Sequence, residues 1–306
     1  AFSARSRGGM WNLETGERKI FARGFRGALV GDDGEGVAAF PRNGSVPKAL
    51  GIMNGNNKQV SVLSPLPSRG AKQYGRFVLK RKSLDKEDND LSENVRFEIE
   101  DFVAKKVVWK QDFPKAAPRY FFDAFSGRII FYWSVGSKAG AGKLKQYPAI
   151  QQRAKSLKDD EDNFFVEVVD SFANGNVVGK LLVETGNRSF SIADGLSERD
   201  WLVLYDTEGR VLVYKLKAGK LHQRFFGNHA TVNPVGSEIV VENFPGEVAV
   251  YDMNSGQNKA NLVFNAGIAF TRFSFDGKSL FVLTDSQDAY VFDVNKLMTE
   301  SQTPLP

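Results

Sequence analysis

Three stretches in the C-terminal third of the chain decide the fold: Val211-Leu-Val-Tyr-Lys-Leu216, Val248-Ala-Val-Tyr-Asp-Met253 and Ala289-Tyr-Val-Phe-Asp-Val294. Short runs of β-branched and aromatic residues predict strands that are buried on both faces. The aromatic residue of each copy recurs after 37 and then 41 residues, at Tyr214, Tyr251 and Phe292. The three stretches are therefore versions of one strand that returns about every 40 residues.

A strand that returns at this period is typical of a β-propeller, in which each repeat is one four-stranded blade. We therefore predict an all-β fold of about six to seven antiparallel four-stranded blades. In the last repeat, Asp276-Gly277 predicts a tight hairpin turn, because such turns need positive φ. The valines in the middle of the three repeated strands, Val213, Val250 and Val291, should be buried between blades.

The repeats divide the chain into parts of one predicted domain over residues 1–306. We take each repeated strand as the last of its blade, so that His222–Phe226 and Lys106–Lys110 each open the next blade. Pro148–Lys158 reads as a short helix inside an insertion, because Pro148 suits the first helical position. The predicted parts are an incomplete first blade (1–16), irregular blades (17–104), a blade with a helical insertion (105–170), regular blades (177–294) and a C-terminal tail (295–306).

The N-terminus predicts an incomplete ring. Gly9–Gly16 aligns with Ala249–Gly256, which is the end of a blade, and no first and second strands precede it. We therefore expect that the domain is truncated at its N-terminus and that an upstream segment is missing.

The composition is that of a folded soluble protein, with 42% hydrophobic and 25% charged residues. The net charge of +5, from 41 basic and 36 acidic residues, is too small to indicate nucleic-acid binding by itself. No run of 18 apolar residues predicts a membrane span, and no signal peptide is recognisable. The absence of cysteine excludes disulfides, thiolate metal sites and a cysteine nucleophile. It leaves both the cytoplasm and export open as locations.

With these repeats in place, the chain resembles the WD40-like propellers, most closely those of a divergent bacterial type. The residues that carry the resemblance are the strand ends and turns Trp11-Asn-Leu-Glu-Thr-Gly16, Tyr251-Asp252, Phe292-Asp293 and Phe273-Ser-Phe-Asp-Gly277. The Gly-His dipeptide found in many eukaryotic copies is absent, so the buried His–Asp network of those proteins is not expected. The resemblance implies a scaffold that binds proteins or peptides.

None of the motifs that could carry chemistry is complete, so we predict no enzyme activity, no cofactor and no metal site. The only histidines, His222 and His229, would need carboxylates to complete a zinc site. Gly136–Lys143 lacks the first glycine and the terminal Ser or Thr of a phosphate loop and reads as a flexible insertion loop. The acidic clusters Asp85–Asp90 and Asp159–Asp162 lack the glycine and glutamate of a calcium loop. No nucleophile elbow is present.

One stretch could meet an anionic partner, because basic and aromatic residues alternate along it. Basic side chains on an exposed strand also protect against edge pairing, so both interpretations stay open. The candidate partner-binding residues are Arg69, Lys72, Arg76, Lys80, Arg81 and Lys82.

Three functions are compatible with this sequence. The favoured one is a non-catalytic protein- or peptide-binding scaffold. The second is an accessory or gating propeller of a larger enzyme or signalling protein, and the third is a module that binds nucleic acid or another polyanion.

Overall fold

The structure is a computed structural model of the 306-residue chain. It describes side chains from Phe77 onward and those of Thr15 and Glu17. The described backbone comprises residues 2–4, 7–11, 15, 17–23, 25–30, 37–41, 52–53, 59–61, 72–74, 77–85, 92–101, 104, 106–123, 126–157, 163–184, 192–206, 208–228 and 230–300.

The first three sheets are antiparallel meanders whose strands follow one another in the chain. They have the orders β1-β2-β3, β4-β5-β6-β7 and β11-β10-β9-β8. The strands are β1 (Phe2–Ala4), β2 (Arg7–Trp11), β3 (Arg18–Arg23), β4 (Phe25–Val30), β5 (Val37–Pro41), β6 (Ile52–Met53), β7 (Gln59–Ser61), β8 (Lys72–Tyr74), β9 (Phe77–Ser83), β10 (Val95–Asp101) and β11 (Lys106–Phe113).

The fourth sheet carries the helical insertion between its second and third strands. Its order is β12-β13-β14-β15. The elements are β12 (Arg119–Phe122), β13 (Arg128–Ser134), α1 (Lys138–Leu144), α2 (Pro148–Lys155), β14 (Phe164–Asp170) and β15 (Asn176–Val183).

The last three sheets repeat the same meander. Their orders are β16-β17-β18-β19, β20-β21-β22-β23 and β24-β25-β26. The elements are β16 (Ile192–Glu198), β17 (Trp201–Asp206), β18 (Arg210–Lys215), β19 (Lys220–Phe226), β20 (Ala230–Val232), β21 (Glu238–Phe244), β22 (Glu247–Asp252), β23 (Asn258–Val263), β24 (Ile268–Phe273), β25 (Ser279–Thr284), β26 (Ala289–Asp293) and α3 (Val294–Glu300).

The predicted all-β fold of antiparallel four-stranded blades is confirmed. The described residues form seven sheets of three or four consecutive strands, as propeller blades do. The chain divides into two compact units, Ala1–Ile129 with Val169–Val177, and Ile130–Val168 with Val178–Pro306. The prediction of one domain over the whole chain stays a prediction. Within the described residues, no helix has the length and apolar character needed to cross a membrane.

The position of the repeated strand in its sheet differs from the prediction. The strands β18 and β22 are third in their sheets, and β19 and β23 pair with them as the fourth. His222–Phe226 therefore ends a sheet instead of opening one, and so does Lys106–Lys110, which lies in β11 beside β10. The error arises because the outer strand is half exposed and carries a weaker apolar pattern than the two central strands of its sheet.

The insertion contains two helices where the sequence indicated one. The predicted helix is present as α2, which begins at Pro148. The interpretation of Gly136–Lys143 as a flexible loop is wrong, because residues 138–144 form α1. The Ser137 side chain accepts a hydrogen bond from the Gly140 N–H over 3.0 Å and caps this helix, which compensates for its two glycines.

The second unit contains two apolar cores, each between two successive sheets. One lies between the sheet β16–β19 and the sheet β20–β23 and contains Val213. The other lies between the sheet β20–β23 and the sheet β24–β26 and contains Val250. The predicted burial of these two valines is confirmed, but that of Val291 is wrong, since its side chain is 48% exposed. Among the described residues, β26 has no fourth strand beside it.

The predicted C-terminal tail at 295–306 stays a prediction, and its described part is helical. Residues 294–300 form α3. Val294 is buried, and Leu297 and Met298 pack against the second of the two cores. Apolar residues three and four positions apart place one face of the helix on that core.

Candidate functional site

The predicted basic stretch is only partly described. Arg69 and Arg76 lie outside the described residues, and Lys72 is described as backbone in β8. The other three, Lys80, Arg81 and Lys82, lie on β9, which pairs with β10.

The basic residues of β9 are balanced by acids of β10. Lys80 forms an ion pair with Glu100, and Lys82 forms one with Glu98. The Arg81 guanidinium donates to the carbonyl oxygen of Ser92 over 3.0 Å. Complementary charges on neighbouring strands stabilise the sheet. They also lower the net positive charge that this part of the stretch can offer to an anion.

The candidate metal ligands are not brought together. His222 lies on β19, with its ring 5.4 Å from that of Trp201, and His229 lies outside the described residues. Across the part of the chain that the structure describes, no cluster of three His, Asp or Glu residues could hold a metal ion.

A buried polar cluster joins the helical insertion to the fourth sheet. Lys143 of α1 donates to the Glu167 carboxylate on β14 over 3.0 Å, and the Tyr147 hydroxyl donates to the other oxygen over 2.6 Å. Lys143 also lies over the Trp133 ring, 5.2 Å from its centroid. Burial raises the pKa of Tyr147, and the hydrogen bond to Glu167 and its charge raise it further. Both carboxylate oxygens are used inside the protein, so this cluster anchors the insertion.

A different surface combines exposure with apolar character. Three strands of the second unit end in large apolar residues that the structure leaves largely uncovered. The exposed fractions are 68% for Phe226, 65% for Phe244 and 78% for Val263. We call these three residues the apolar end.

The apolar end spans two neighbouring sheets. The Asn243 side chain donates to the carbonyl oxygen of Phe226 over 2.6 Å, which joins the end of β19 to that of β21. Phe244 lies opposite Glu247, and Glu247 lies opposite Val263. The ends of β19, β21 and β23 therefore bring the three apolar residues to one end of the unit.

A buried carboxylate holds the turn that follows Phe244. Glu242 accepts hydrogen bonds from the Gly246 N–H over 2.9 Å and from the Ile268 N–H over 3.0 Å. Gly246 has φ +82°, and a Cβ there would lie 2.7 Å from the carbonyl oxygen of Phe264. Only glycine fits this close approach, so the backbone next to Phe244 is held in one conformation.

The charges beside the apolar end include a paired Arg210 and the exposed carboxylate of Glu247. Arg210, opposite Phe226 in the sheet, donates to the Asp206 carboxylate over 2.6 Å and lies 3.4 Å from Glu208. Exposed neighbours such as Asn228 and Asn265 are neutral amides. The surface thus offers apolar contact, amide hydrogen bonds and the Glu247 carboxylate.

The sequence analysis did not identify the apolar end. One signal for it was present, since Phe244 stands directly before the turn Pro245-Gly246 and hairpin turns lie at the surface. The exposure of Phe226 and Val263 depended on recognising β19 and β23 as outer strands.

Comparisons with known proteins show structural likeness only. No protein-family model and no curated protein matches the chain. Among solved structures, it is similar to KlHsv2 with loop 6CD replaced by a Gly-Ser linker, with a TM-score of 0.49 and 14% identity over 87% of this chain and 76% of that chain. It is also similar to the C-terminal WD40 domain of Sif2, with a TM-score of 0.46 and 16% identity over 91% of this chain and 68% of that chain. No function passes from either protein to this chain on such a likeness.

Proposed function

We propose that this chain is a non-catalytic propeller that binds a protein or peptide at the apolar end. The observation that supports the proposal is the exposure of Phe226, Phe244 and Val263 at strand ends of two neighbouring sheets. Contiguous exposed apolar side chains mark interaction sites, whereas scattered ones are ordinary.

The chemistry of the surface favours a partner with an apolar anchor. Burying one large apolar side chain contributes about 1.5–3 kcal/mol. Two phenylalanines on a fixed backbone can therefore supply the central part of a binding site, since a few residues carry most of the binding energy of an interface. The neighbouring amides suit a polar rim, and the paired Arg210 gives no attraction to a polyanion.

The two other functions differ from the proposed one in separate ways. An accessory propeller of a larger enzyme would use the same surface for docking, and it differs only in what is attached. A polyanion-binding module would depend on the stretch from Arg69 to Lys82, in which Lys80 and Lys82 are balanced by Glu100 and Glu98 and Arg81 donates to a carbonyl oxygen of the chain.

The test compares matched phenylalanines at opposite ends of the second unit. The probe variant is the double substitution Phe226→Ser and Phe244→Ser. The control is Phe275→Ser, because Phe275 is 60% exposed but lies in the turn between β24 and β25. Each form is immobilised and exposed to an extract of the source cells, and retained proteins are then purified and titrated against each form.

We expect a partner whose Kd rises at least about tenfold with the double variant and is unchanged with Phe275→Ser. Equal binding to all three forms, or loss with the control alone, would refute the proposal. Salt-dependent retention on heparin that is lost with Lys80→Ala and Lys82→Ala would instead support the polyanion-binding function.

A further inference from the structure

An exposed carboxylate stands between two of the residues of the apolar end. Glu247 opens β22, where it lies opposite Phe244 of β21 on one side and opposite Val263 of β23 on the other. Residues that lie opposite each other on neighbouring strands direct their side chains to the same face of the sheet. Phe244, Glu247 and Val263 therefore form a row across three strand ends, with the carboxylate in the middle. We call these three residues the mixed row.

Backbone hydrogen bonds hold the mixed row in place. The Phe264 N–H donates to the carbonyl oxygen of Gly246 over 2.8 Å, which joins the turn before Glu247 to the residue after Val263. The Gly246 N–H in turn donates to the buried carboxylate of Glu242 over 2.9 Å. The row is thus preorganised, and a ligand that binds there does not have to order its backbone.

The Glu247 carboxylate has no cation of its own among the described residues. Its side chain is exposed, and no described residue forms an ion pair or a hydrogen bond with it. The four strands of its sheet contain one basic residue, Lys259, which lies four positions from Val263 along β23. A charge between two apolar side chains is therefore left for a ligand to meet.

The rest of this end of the unit adds negative charge. The turns β17–β18 and β25–β26 lie at the same end of their sheets as the turn β21–β22, because successive turns of a meander alternate between its two ends. Arg210, which follows the first of these turns, donates to the Asp206 carboxylate over 2.6 Å. Exposed carboxylates on the turns are those of Glu208, Asp285 and Asp288. Opposite charge in a ligand is therefore favoured here.

The spacing of the mixed row matches one face of an α-helix. Neighbouring strands lie about 4.8 Å apart, so the two apolar side chains of the row start about 10 Å from each other. Along a helix, residues i, i+3 and i+7 share one face and lie about 4.5 and about 10.5 Å along the axis. Alternate residues of an extended chain lie about 6.6 and about 13 Å along it and overshoot the row.

We propose that the mixed row binds an amphipathic helix of a partner protein, with a basic residue of the helix on Glu247 and apolar residues on Phe244 and Val263. This inference rests on the proposed function and names the chemistry of the partner at that site. The two apolar contacts supply affinity, since large apolar side chains that become buried carry most of it. The basic residue supplies the missing cation and so determines which apolar helices bind.

The carboxylate argues against a second copy of this chain as the occupant. Two copies joined at the mixed row by a twofold axis would use the same surface twice and bring Glu247 of one against Glu247 of the other. Such like-charge contacts are costly in an interface. A membrane surface is disfavoured for the same reason, because its anionic headgroups would meet carboxylates.

The probe is a phage-displayed peptide library. Each peptide has about 16 residues, since shorter isolated helices are marginal in water. In one library the background is alanine and glutamine, which favour a helix, and positions i, i+3 and i+7 are random. A second library places three random positions alternately in a threonine-rich background, which favours an extended chain. Both are selected on the immobilised full chain and on its variants.

On the wild type we expect the helical library to enrich Lys or Arg at i+3 and apolar residues at i and i+7. Glu247→Lys should change the preference at i+3 to Asp or Glu, and peptides selected on the wild type should bind it at least about tenfold more weakly. Glu247→Gln should remove the charge preference. Glu208→Lys, at an exposed carboxylate outside the row, is the matched control and should leave the preference at i+3 unchanged. Melting temperatures show that each variant is folded.

Each of the other outcomes refutes the inference. An unchanged preference at i+3 on Glu247→Lys, or an equal change on Glu208→Lys, would exclude the contact with the row. Enrichment from the extended library alone would exclude a helix. Enrichment on Val263→Ser equal to that on the wild type, or none on either, would exclude the apolar contact. A wild-type dimer that Val263→Ser dissociates would make a second copy the occupant.

The inference and the proposed function can fail separately. A partner from the cell extract that loses affinity for the double variant at Phe226 and Phe244, but binds Glu247→Lys as it binds the wild type, would leave the proposed function standing and refute this inference.

Discussion

The Asn233 side chain donates a hydrogen bond to the carbonyl oxygen of Gly277 over 3.1 Å, which joins the turn between β20 and β21 to the turn between β24 and β25. The same amide donates to the Glu238 carboxylate over 2.8 Å. Its oxygen accepts from the N–H groups of Val235 and Gly236, each over 3.0 Å. One buried side chain thus orders its own turn and links two successive sheets.

Asn233→Ala should lower the free energy of unfolding by about 1–3 kcal/mol, because it leaves buried backbone groups without partners. Urea denaturation measures the change, and Asn254→Ala, at an exposed position, is the control. A loss no larger than that of the control would show that the link contributes nothing.

Gly277→Ala should destabilise the same link from the other side. Gly277 has φ +69°, and a Cβ there would lie 2.3 Å from the Asn233 amide oxygen. Both strain and collision oppose the substitution, so a melting temperature below that of the wild type is expected. Substitution at Gly142, where a Cβ would have open space, is the control. An equal effect at both glycines would contradict the prediction.

Val250→Ala and Val291→Ala form a matched pair at equivalent positions. Removing two methyl groups from fully buried Val250 should cost about 1–3 kcal/mol, because the cavity forms inside a packed core. The same change at exposed Val291 should cost less than about 0.5 kcal/mol. Chemical denaturation of both variants checks the difference, and similar losses would mean that the exposure of Val291 is misassigned.

Lys143→Ala should destabilise the insertion strongly, since it leaves the buried Glu167 carboxylate without its cation. Removing one partner of a buried ion pair costs about 3–5 kcal/mol. Lys145→Ala, at an exposed position of the same insertion, should cost little. Hydrogen exchange of residues 138–155 would locate the loss, and protection equal to that of the wild type would refute the anchoring role.

Stability should decline at alkaline pH through Tyr147. Its pKa is raised in the folded protein by burial, by the hydrogen bond to Glu167 and by the charge of Glu167. A raised pKa favours the neutral phenol, so its contribution is fully present below pH 10 and is lost as the pH rises above that value. Urea midpoints between pH 8 and 11 should fall less steeply for Tyr147→Phe than for the wild type. Parallel curves would contradict this assignment.

Most of the fold was predictable, because the pattern in the repeated strands is local. Strand identity at β18, β22 and β26 follows from runs such as Val248–Met253, which are apolar on both faces. The helix α2 was predicted from Pro148, which suits the first helical position. By contrast, α1 was missed, because its glycines suggest a loop unless the cap by Ser137 is known.

The candidate sites were less predictable, because exposure depends on which strand lies outermost. Phe225 and Phe226 are adjacent phenylalanines on one strand, yet the first is buried and the second is 68% exposed. Alternation predicts that they face opposite sides, but it cannot tell which side a neighbouring sheet covers.

The sequence by itself determined the period, the strands and the absence of cysteine chemistry, since these depend on residue type and spacing. Only the tertiary structure decided which strand each repeat ends on, which valine of three lies uncovered, and where basic residues meet acids. The physical reason is that burial and pairing belong to neighbours in space. Val250 and Val291 have the same local pattern, and only the sheet packed beyond Val250 distinguishes them.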